Sequence, residues 1–486
     1  MELACYQLAS PPGTIRLWIG AHGVTGAPPV DAWRLDGRPL APAEITTVRE
    51  MQSVRDETLV TGDPPRAFSG IYEITGLGGS THSTVELTVG GQPLRRRVKP
   101  LPARLELDGP PLTVLLVSCY HHSTDGGLYG ERLPRIASGI SAPDLCVFMG
   151  DQVYLDLPTL QDFHDDPVWL AARFEQDYVR NWFGEAFARG LGQGPLAFLP
   201  DDHEYWNNYP HVSPFIQNSW TPAGQGNWRR AAQALYRGFQ LGGDGELGDP
   251  LELDVEPLSL FLVDSRSERD ADLTRLLSAR ASERLLAWSV RVATDARLVA
   301  GVMVTGQSLL ETPVGGVKGS IADFALADYE QPYRQLLQAV TAIVEGGKQV
   351  LLLTGDVHWG RVSSVRDRQR DRIAMHEIIS SPSSLVATVG ADQVADVLGT
   401  IKGWFGAGTA WHRHSDAKEP PSHLPFSSQR FRTGEWRSHR GNQCLVLRLA
   451  RRGSGVSVDY TFHPLAGPEH GNVPATTGHL DLLRTS

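Results

Sequence analysis

Four short apolar runs in this chain each end in a cluster of residues able to bind a cation. Residues 114–117 run into Ser118-Cys119-Tyr120-His121-His122, and 145–149 into Gly150-Asp151-Gln152-Val153-Tyr154-Leu155-Asp156. Residues 196–199 run into Pro200-Asp201-Asp202-His203-Glu204-Tyr205-Trp206-Asn207-Asn208, and 350–353 into Thr354-Gly355-Asp356-Val357-His358-Trp359. Unbroken apolar runs of this length read as strands buried on both faces, the pattern of sheets covered by further layers. Open α/β sheets place their sites beyond the carboxyl ends of such strands. Four ends rich in carboxylate, imidazole, phenol or thiol on one rim bring carboxylates close enough to repel unless a cation lies among them, so a metal centre is the economical explanation.

The rest of the chain fits an α/β class. Residues 258–263, 298–304 and 373–379 are further buried-strand candidates, and helices are expected near 168–188, 278–293 and 328–344. The last of these carries Leu336, Leu337, Val340, Ile343 and Val344 on one face. Residues 444–449 and 456–460 read as a hairpin closing a sheet. Before Pro111 the pattern is different: Ile15, Leu17 and Ile19, and later Val85, Leu87 and Val89, alternate with more polar residues. Short strands over that stretch fit a small β-sandwich, with the basic run Arg95-Arg96-Arg97 in a solvated linker. The expected organisation is a small all-β sandwich over residues 1–105 and a larger α/β unit over 106–486.

Composition removes several classes. A net charge of −10 argues against an extended nucleic-acid groove. No apolar run reaches the ~18 residues of a membrane helix. The four cysteines are too scattered for a disulfide framework. The first residues, Met1-Glu2-Leu3-Ala4-Cys5, show neither a basic n-region nor a twin arginine, which predicts a cytoplasmic chain.

The donor types favour two metals. Asp151 can bridge a pair, Asp202 and Asp356 can each supply an oxygen, and His358 a nitrogen. Cys119 and Tyr154 are unusual extra donors. A phenol with a reference pKa near ~10 binds as phenolate at neutral pH only to a strongly acidifying cation such as Fe³⁺. The oxygen-rich remainder suits a divalent ion: Ca²⁺, or alternatively Mn²⁺, Mg²⁺ or Zn²⁺.

These motifs resemble the calcineurin-like metallophosphatases and, within them, the PhoD-type alkaline phosphatases. The Gly150-Asp151-x-x-Tyr154 spacing is shared with purple acid phosphatases. Asp201-Asp202-His203-Glu204 with Asn207-Asn208, Thr354-Gly355-Asp356-Val357-His358, the Val263-to-Arg269 segment and Gly306-Gln307 are similar to the PhoD form. The resemblance covers roughly residues 112–462 and implies a four-layered α/β/β/α metallophosphatase domain. It implies an iron-like site of Cys119, Asp151, Tyr154 and His358, and a second site of Asp151, Asp202 and Asp356. His203 would then sit beside the phosphoryl group as general acid or oxyanion partner. One of Asn207 and Asn208 would touch metal or substrate while the other supports the loop. Asp264 and Arg266 would stand behind the ligands as ion partners, and Gln307 would contact the second metal or satisfy backbone. Tyr120 departs from the family's glutamine, which leaves His121 as a competing ligand.

The implied activity is hydrolysis of a small phosphomonoester or phosphodiester by metal-activated water. Rim loops over 205–236 and 400–437 would set the preference, and the N-terminal β unit could bind a protein partner. The alternatives are a nucleotide phosphodiesterase or nuclease on the same scaffold, and a non-catalytic module that metals merely stabilise.

Overall fold

A computed structural model of the chain describes residues 1–77, 81–140, 142–158, 163–243, 245–315, 323–384, 417–439, 441–465 and 475–483. The first hundred residues supply eight strands: β1 (Glu2–Leu8), β2 (Ile15–Val24), β3 (Val30–Leu35), β4 (Arg38–Pro39), β5 (Ile45–Ser53), β6 (Arg66–Ile74), β7 (Ser83–Val89) and β8 (Gln92–Val98). Three of the runs with donor-rich tips become β9 (Leu112–Val117), β10 (Leu145–Met149) and β11 (Leu196–Leu199). Next come β12 (Leu251–Val255), β13 (Leu258–Leu262), β14 (Ala300–Thr305), β15 (Gln349–Thr354), β16 (Gly360–Asp367) and β17 (Arg372–Ile379). The chain closes with β18 (Phe431–His439), β19 (Gln443–Arg452), β20 (Gly455–Pro464) and β21 (Thr476–Leu482).

The strands form three sheets. One runs β21-β20-β19-β9-β10-β11-β1-β2-β6-β5, another β12-β13-β14-β15-β17-β16-β18, and a third β4-β3-β7-β8. β9, β10 and β11 are mutually parallel, as are β13, β14 and β15, so the acid-rich strand ends of each set project to one rim.

The helices are α1 (His122–Asp125), α2 (Leu128–Gly139), α3 (Pro167–Trp182), α4 (Phe187–Leu191), α5 (Pro222–Phe239), α6 (Ala279–Thr294) and α7 (Glu330–Glu345). The two-residue period of a strand sorts the core. From β9, Leu115 and Val117 join Phe174 and Trp182 of α3 and Trp228 and Phe239 of α5. Its other face sends Leu112, Val114 and Leu116 against Leu260, Val302 and Leu351 of the seven-stranded sheet. The far face of that second sheet, with Met303 and Leu352, packs on Trp288 of α6 and on Leu336, Leu337, Val340, Ile343 and Val344 of α7. The face read from the sequence of α7 is therefore its buried face.

Two findings differ from the sequence reading. The rim-loop segment 205–236 contains most of α5, opened by Thr221, whose side chain accepts from Gly224 N, and by Pro222 in the first turn. Of the other rim-loop segment, 400–437, residues 400–416 lie outside the described residues. The strands of residues 1–105 do form two stacked sheets, since Cys5, Leu17 and Ile19 pack on Val85, Leu87 and Val89. One of those sheets is the ten-stranded sheet itself. β1 pairs in parallel with β11 through Leu8 and Leu196, and Ala9 N donates to Leu196 O at 2.7 Å. The opposite faces of β1, β2 and β6, with Tyr6, Trp18 and Ile71, share a core with α3 and α5.

Candidate metal centre

The strand ends turn sharply to bring their side chains together. Cys119 (φ 53°), Asp151 (φ 58°), Asp356 (φ 62°) and His358 (φ 57°) all lie in the left-handed region. A non-glycine residue there costs on the order of 1 kcal/mol or more and persists only where its surroundings hold it. Here they do. Cys119 N donates to Gly150 O at 3.0 Å, Tyr120 N to Asp151 O at 2.8 Å and Ser384 N to Cys119 O at 3.0 Å. The buried Glu204 carboxylate accepts from the backbone N–H of Asp151 (2.9 Å), Gln152 (2.7 Å) and Asp201 (2.8 Å), tying the ends of β10 and β11 together. Gly150 must be glycine: a Cβ there would sit 2.5 Å from the Cβ of Asp201.

The donor atoms converge in three groups. Cys119, Asp151 and His358 each offer a ligand atom within 4.8 Å of the others, as do Asp151, Asp202 and His203, and as do Asp201, Asp202 and Asp356. Asp151 and Asp202 each belong to two of the three groups. Tyr154 is buried beside them, its ring centroid 4.3 Å from that of His203, and its hydroxyl has no hydrogen-bond partner. A phenol oxygen that is closed to water yet partnerless suits a cation, which occupies less room than a water molecule.

Electrostatics point the same way. Burial, then Asp202, Asp151 and Asp323, push the Asp356 carboxyl up to about 7. Burial and the neighbouring acids raise Asp151, against the pull of His203. Burial, Asp151 and Asp356 also raise the Cys119 thiol. Burial leads all three shifts and the crowded acids add to them, a cost that bound cations would relieve. The residues fit a metal pair.

His203 is held by a residue the sequence analysis did not single out. Its Nδ1 lies 2.8 Å from Oδ1 of the buried Asp156, whose other oxygen accepts from Asn207 N at 2.8 Å. Burial opposes protonation of His203, but Asp156, Asp202 and Asp151 raise its pKa well above the usual imidazole value. Asn208 N donates to Asp202 Oδ2 at 2.7 Å, so both asparagines steady acids through their backbones. Asp264 caps its own turn, accepting from Arg266 N (2.8 Å) and Ser267 N (2.9 Å). The buried Arg266 pairs with Asp201 and, at 2.7 Å, with Asp323. Gln307 Nε2 donates to Asp356 Oδ2 at 2.9 Å while its Oε1 accepts from Arg269 at 2.7 Å, so it orients a ligand carboxylate. His121 pairs with Thr124 Oγ1 at 3.0 Å and belongs to none of the three donor groups. Asp156 and Glu204 lie inside the acid-rich motifs, and position within the motif is the signal that finds them. Arg269 closes the Val263-to-Arg269 motif, whereas Asp323 carries no such signal, because its partners Arg266 and Gln307 are distant in sequence.

No family model matches the chain, and no curated protein matches it. Among solved structures, PhoD aligns over 99% of this chain and 90% of its own length, at 14% identity and a TM-score of 0.58. The chain has a PhoD-like fold. A second structure, GAP50, the anchor in the inner membrane complex of Plasmodium, aligns over 78% of this chain and 90% of its own, at 10% identity. Its TM-score of 0.36 carries no argument. At 14% identity the likeness to PhoD is one of fold, and the chemistry has to be argued from the side chains.

Proposed function

We propose that the protein is a metal-dependent phosphoesterase acting on small phosphomonoesters, phosphodiesters or both, in a four-layered helix–sheet–sheet–helix domain. The observation that carries this reading is Asp151, shared between a group with a thiol and an imidazole and a group with Asp202 and His203. Cys119, Tyr154, His358 and Asp151 would hold Fe³⁺, the cation that suits thiolate and phenolate donors. Asp151, Asp202 and Asp356 would hold a divalent ion, Ca²⁺ or alternatively Mn²⁺, Mg²⁺ or Zn²⁺. Bound there, such a pair supplies Lewis-acid charge to a phosphoryl oxygen and acidifies water at neutral pH.

The chain's own residues do the rest. Asp156 fixes the imidazole of His203 by its Nδ1, leaving Nε2 to carry a proton to the leaving oxygen. Gln307 and Asn208 N–H hold the carboxylates of Asp356 and Asp202 in place. Arg266 pairs with Oδ1 of Asp201, whose Oδ2 has no partner among the described residues. The test is turnover of paired mono- and diester chromogenic substrates by the metal-loaded protein, its chelated form and Asp202→Asn. Hydrolysis of at least one substrate, lost in both of the latter, is expected. No turnover of either by metal-loaded protein would leave the metals a purely structural role.

A further inference from the structure

The last turn of α5 lies over the β5–β6 edge of the ten-stranded sheet, and between them is a cavity of about 380 Å³. Its wall includes Arg49, Gln52, Ser53, Arg55 and Arg237, and none of the donors of the metal centre. Charge around it is unbalanced. Arg55 pairs with Glu175, and Arg66 with Glu57 at 3.0 Å. Among the described residues, Arg49 and Arg237 form no ion pair with a carboxylate. Arg49 Nη1 donates to Arg237 O, and Nη2 donates to Gly238 O at 3.2 Å and Ser69 Oγ at 3.3 Å. Those carbonyls end α5, and a helix end compensates only about half a charge. Arg49 Nε and Ser53 Oγ have no partner, and burial pushes Arg49 down to about 10. The other wall carboxylate, Asp56, accepts from Thr58 N at 2.8 Å and from Thr58 Oγ1. Arg230 reaches the same hydroxyl. On the wall itself Arg49, Arg55 and Arg237 face two carboxylates, Asp56 and Glu57. With Arg55 matched by Glu175 and Glu57 by Arg66, the half-buried Arg49 is left without a carboxylate, and that charge calls for an anion.

We propose that this cavity binds a phosphate group, free or terminal on a small organic molecule, at a site separate from the metal centre. An anion of this class supplies the counter-charge that Arg49 and Arg237 lack. Guanidinium forks, a hydroxyl and an amide offer the several donors that a tetrahedral oxyanion accepts, where a carboxylate would use fewer. The volume falls in the range of small-ligand pockets, ~300–1,000 Å³, and leaves room for an organic part.

Titration calorimetry of the full-length, metal-loaded protein with inorganic phosphate, and separately with glycerol 3-phosphate, tests this. A class of site is expected that survives Asp202→Asn and weakens about tenfold or more in Arg237→Gln, the loss for a charge-assisted hydrogen bond. Arg237 is exposed, and its side chain makes no ion pair that the fold depends on. Arg49→Gln, which also loosens the end of α5, should weaken the same class. Wild-type binding by Arg237→Gln would overturn the proposal, as would a single class that disappears with Asp202→Asn. Tighter binding of the ester places its organic part in the cavity, and equal binding assigns the site to free phosphate. Failure of the phosphoesterase reading shows separately, as absent turnover with this binding class intact.

Discussion

Each ligand-type side chain here depends on a partner that aims it. His203→Ala should leave metal content near normal and lower kcat by about 10²–10⁴-fold, the usual contribution of a general acid–base group. Asp156→Asn removes the charge that holds the imidazole pKa up. An imidazole with a raised pKa keeps its proton below that value and loses it as pH rises through it. The alkaline limb of kcat should therefore move to lower pH in Asp156→Asn, with KM little changed; a full pH–rate profile checks it. Cys119 and Tyr154 make a different prediction, about the metal they would bind in the proposed centre. Thiolate and phenolate donate into the half-filled shell of Fe³⁺ and give a visible band that closed-shell Zn²⁺ or Ca²⁺ cannot. Concentrated protein should be coloured, Tyr154→Phe should shift or bleach the band, and strong reductant should bleach it. A colourless, iron-free and fully active preparation would sink the ferric assignment.

The helices are held chiefly by their buried faces. At α6, Ser278 Oγ accepts from Ala281 N at 3.0 Å, a cap worth about 1 kcal/mol. Along α7, Leu336 is fully buried among the residues that pack on the second sheet, and truncating such a leucine costs roughly 2–5 kcal/mol. Urea denaturation should rank Leu336→Ala well below Ser278→Ala in stability, with metal content unchanged in the Ser278 variant. Equal losses would mean that α7 is marginal to its layer. The strands follow the same logic, since β9 buries one alternating set of residues under helices and the other between sheets.

The sheet continuity across residue 105 makes a prediction for the whole molecule. β1 covers the edge of β11, and Tyr6 and Trp18 share a core with Trp182 and Phe239. Residues 106–486 expressed alone would expose that edge and the part of that core covered by Tyr6, Trp18 and Ile71, so the fragment should aggregate, while the full chain unfolds in one transition through this core. A soluble, metal-binding 106–486 fragment would show the N-terminal unit to be an accessory. Metal removal also acts at this scale. A carboxyl whose folded pKa lies above its unfolded one favours the native state at low pH, and that advantage is lost as pH rises between the two. With Asp356 raised to about 7, chelated protein should lose melting temperature as pH climbs from the ordinary carboxylate range, ~4, towards 7. Metal-loaded protein should hold steady over the same window.

The sequence alone determined what is local. Each metal-donor cluster follows its own strand within a few residues, so an apolar run and its polar tip are read together, as is the buried face of α7 at helical spacing. The residues that aim the donors were legible only where they fell inside those same motifs, as Asp156 and Glu204 do. What the tertiary structure decided is pairing at a distance. A strand's alternation says which face it buries but not whose free edge it meets, so the union of β1 with β11 through Leu8 and Leu196 had no signal in either segment. An arginine's charge likewise gives no hint of its counter-ion: Arg266 meets Asp201 and Asp323 across loops, whereas Arg49 ends against a helix terminus with no carboxylate. Only the packed chain settles which buried charges are balanced, because burial creates the cost of leaving one unpaired.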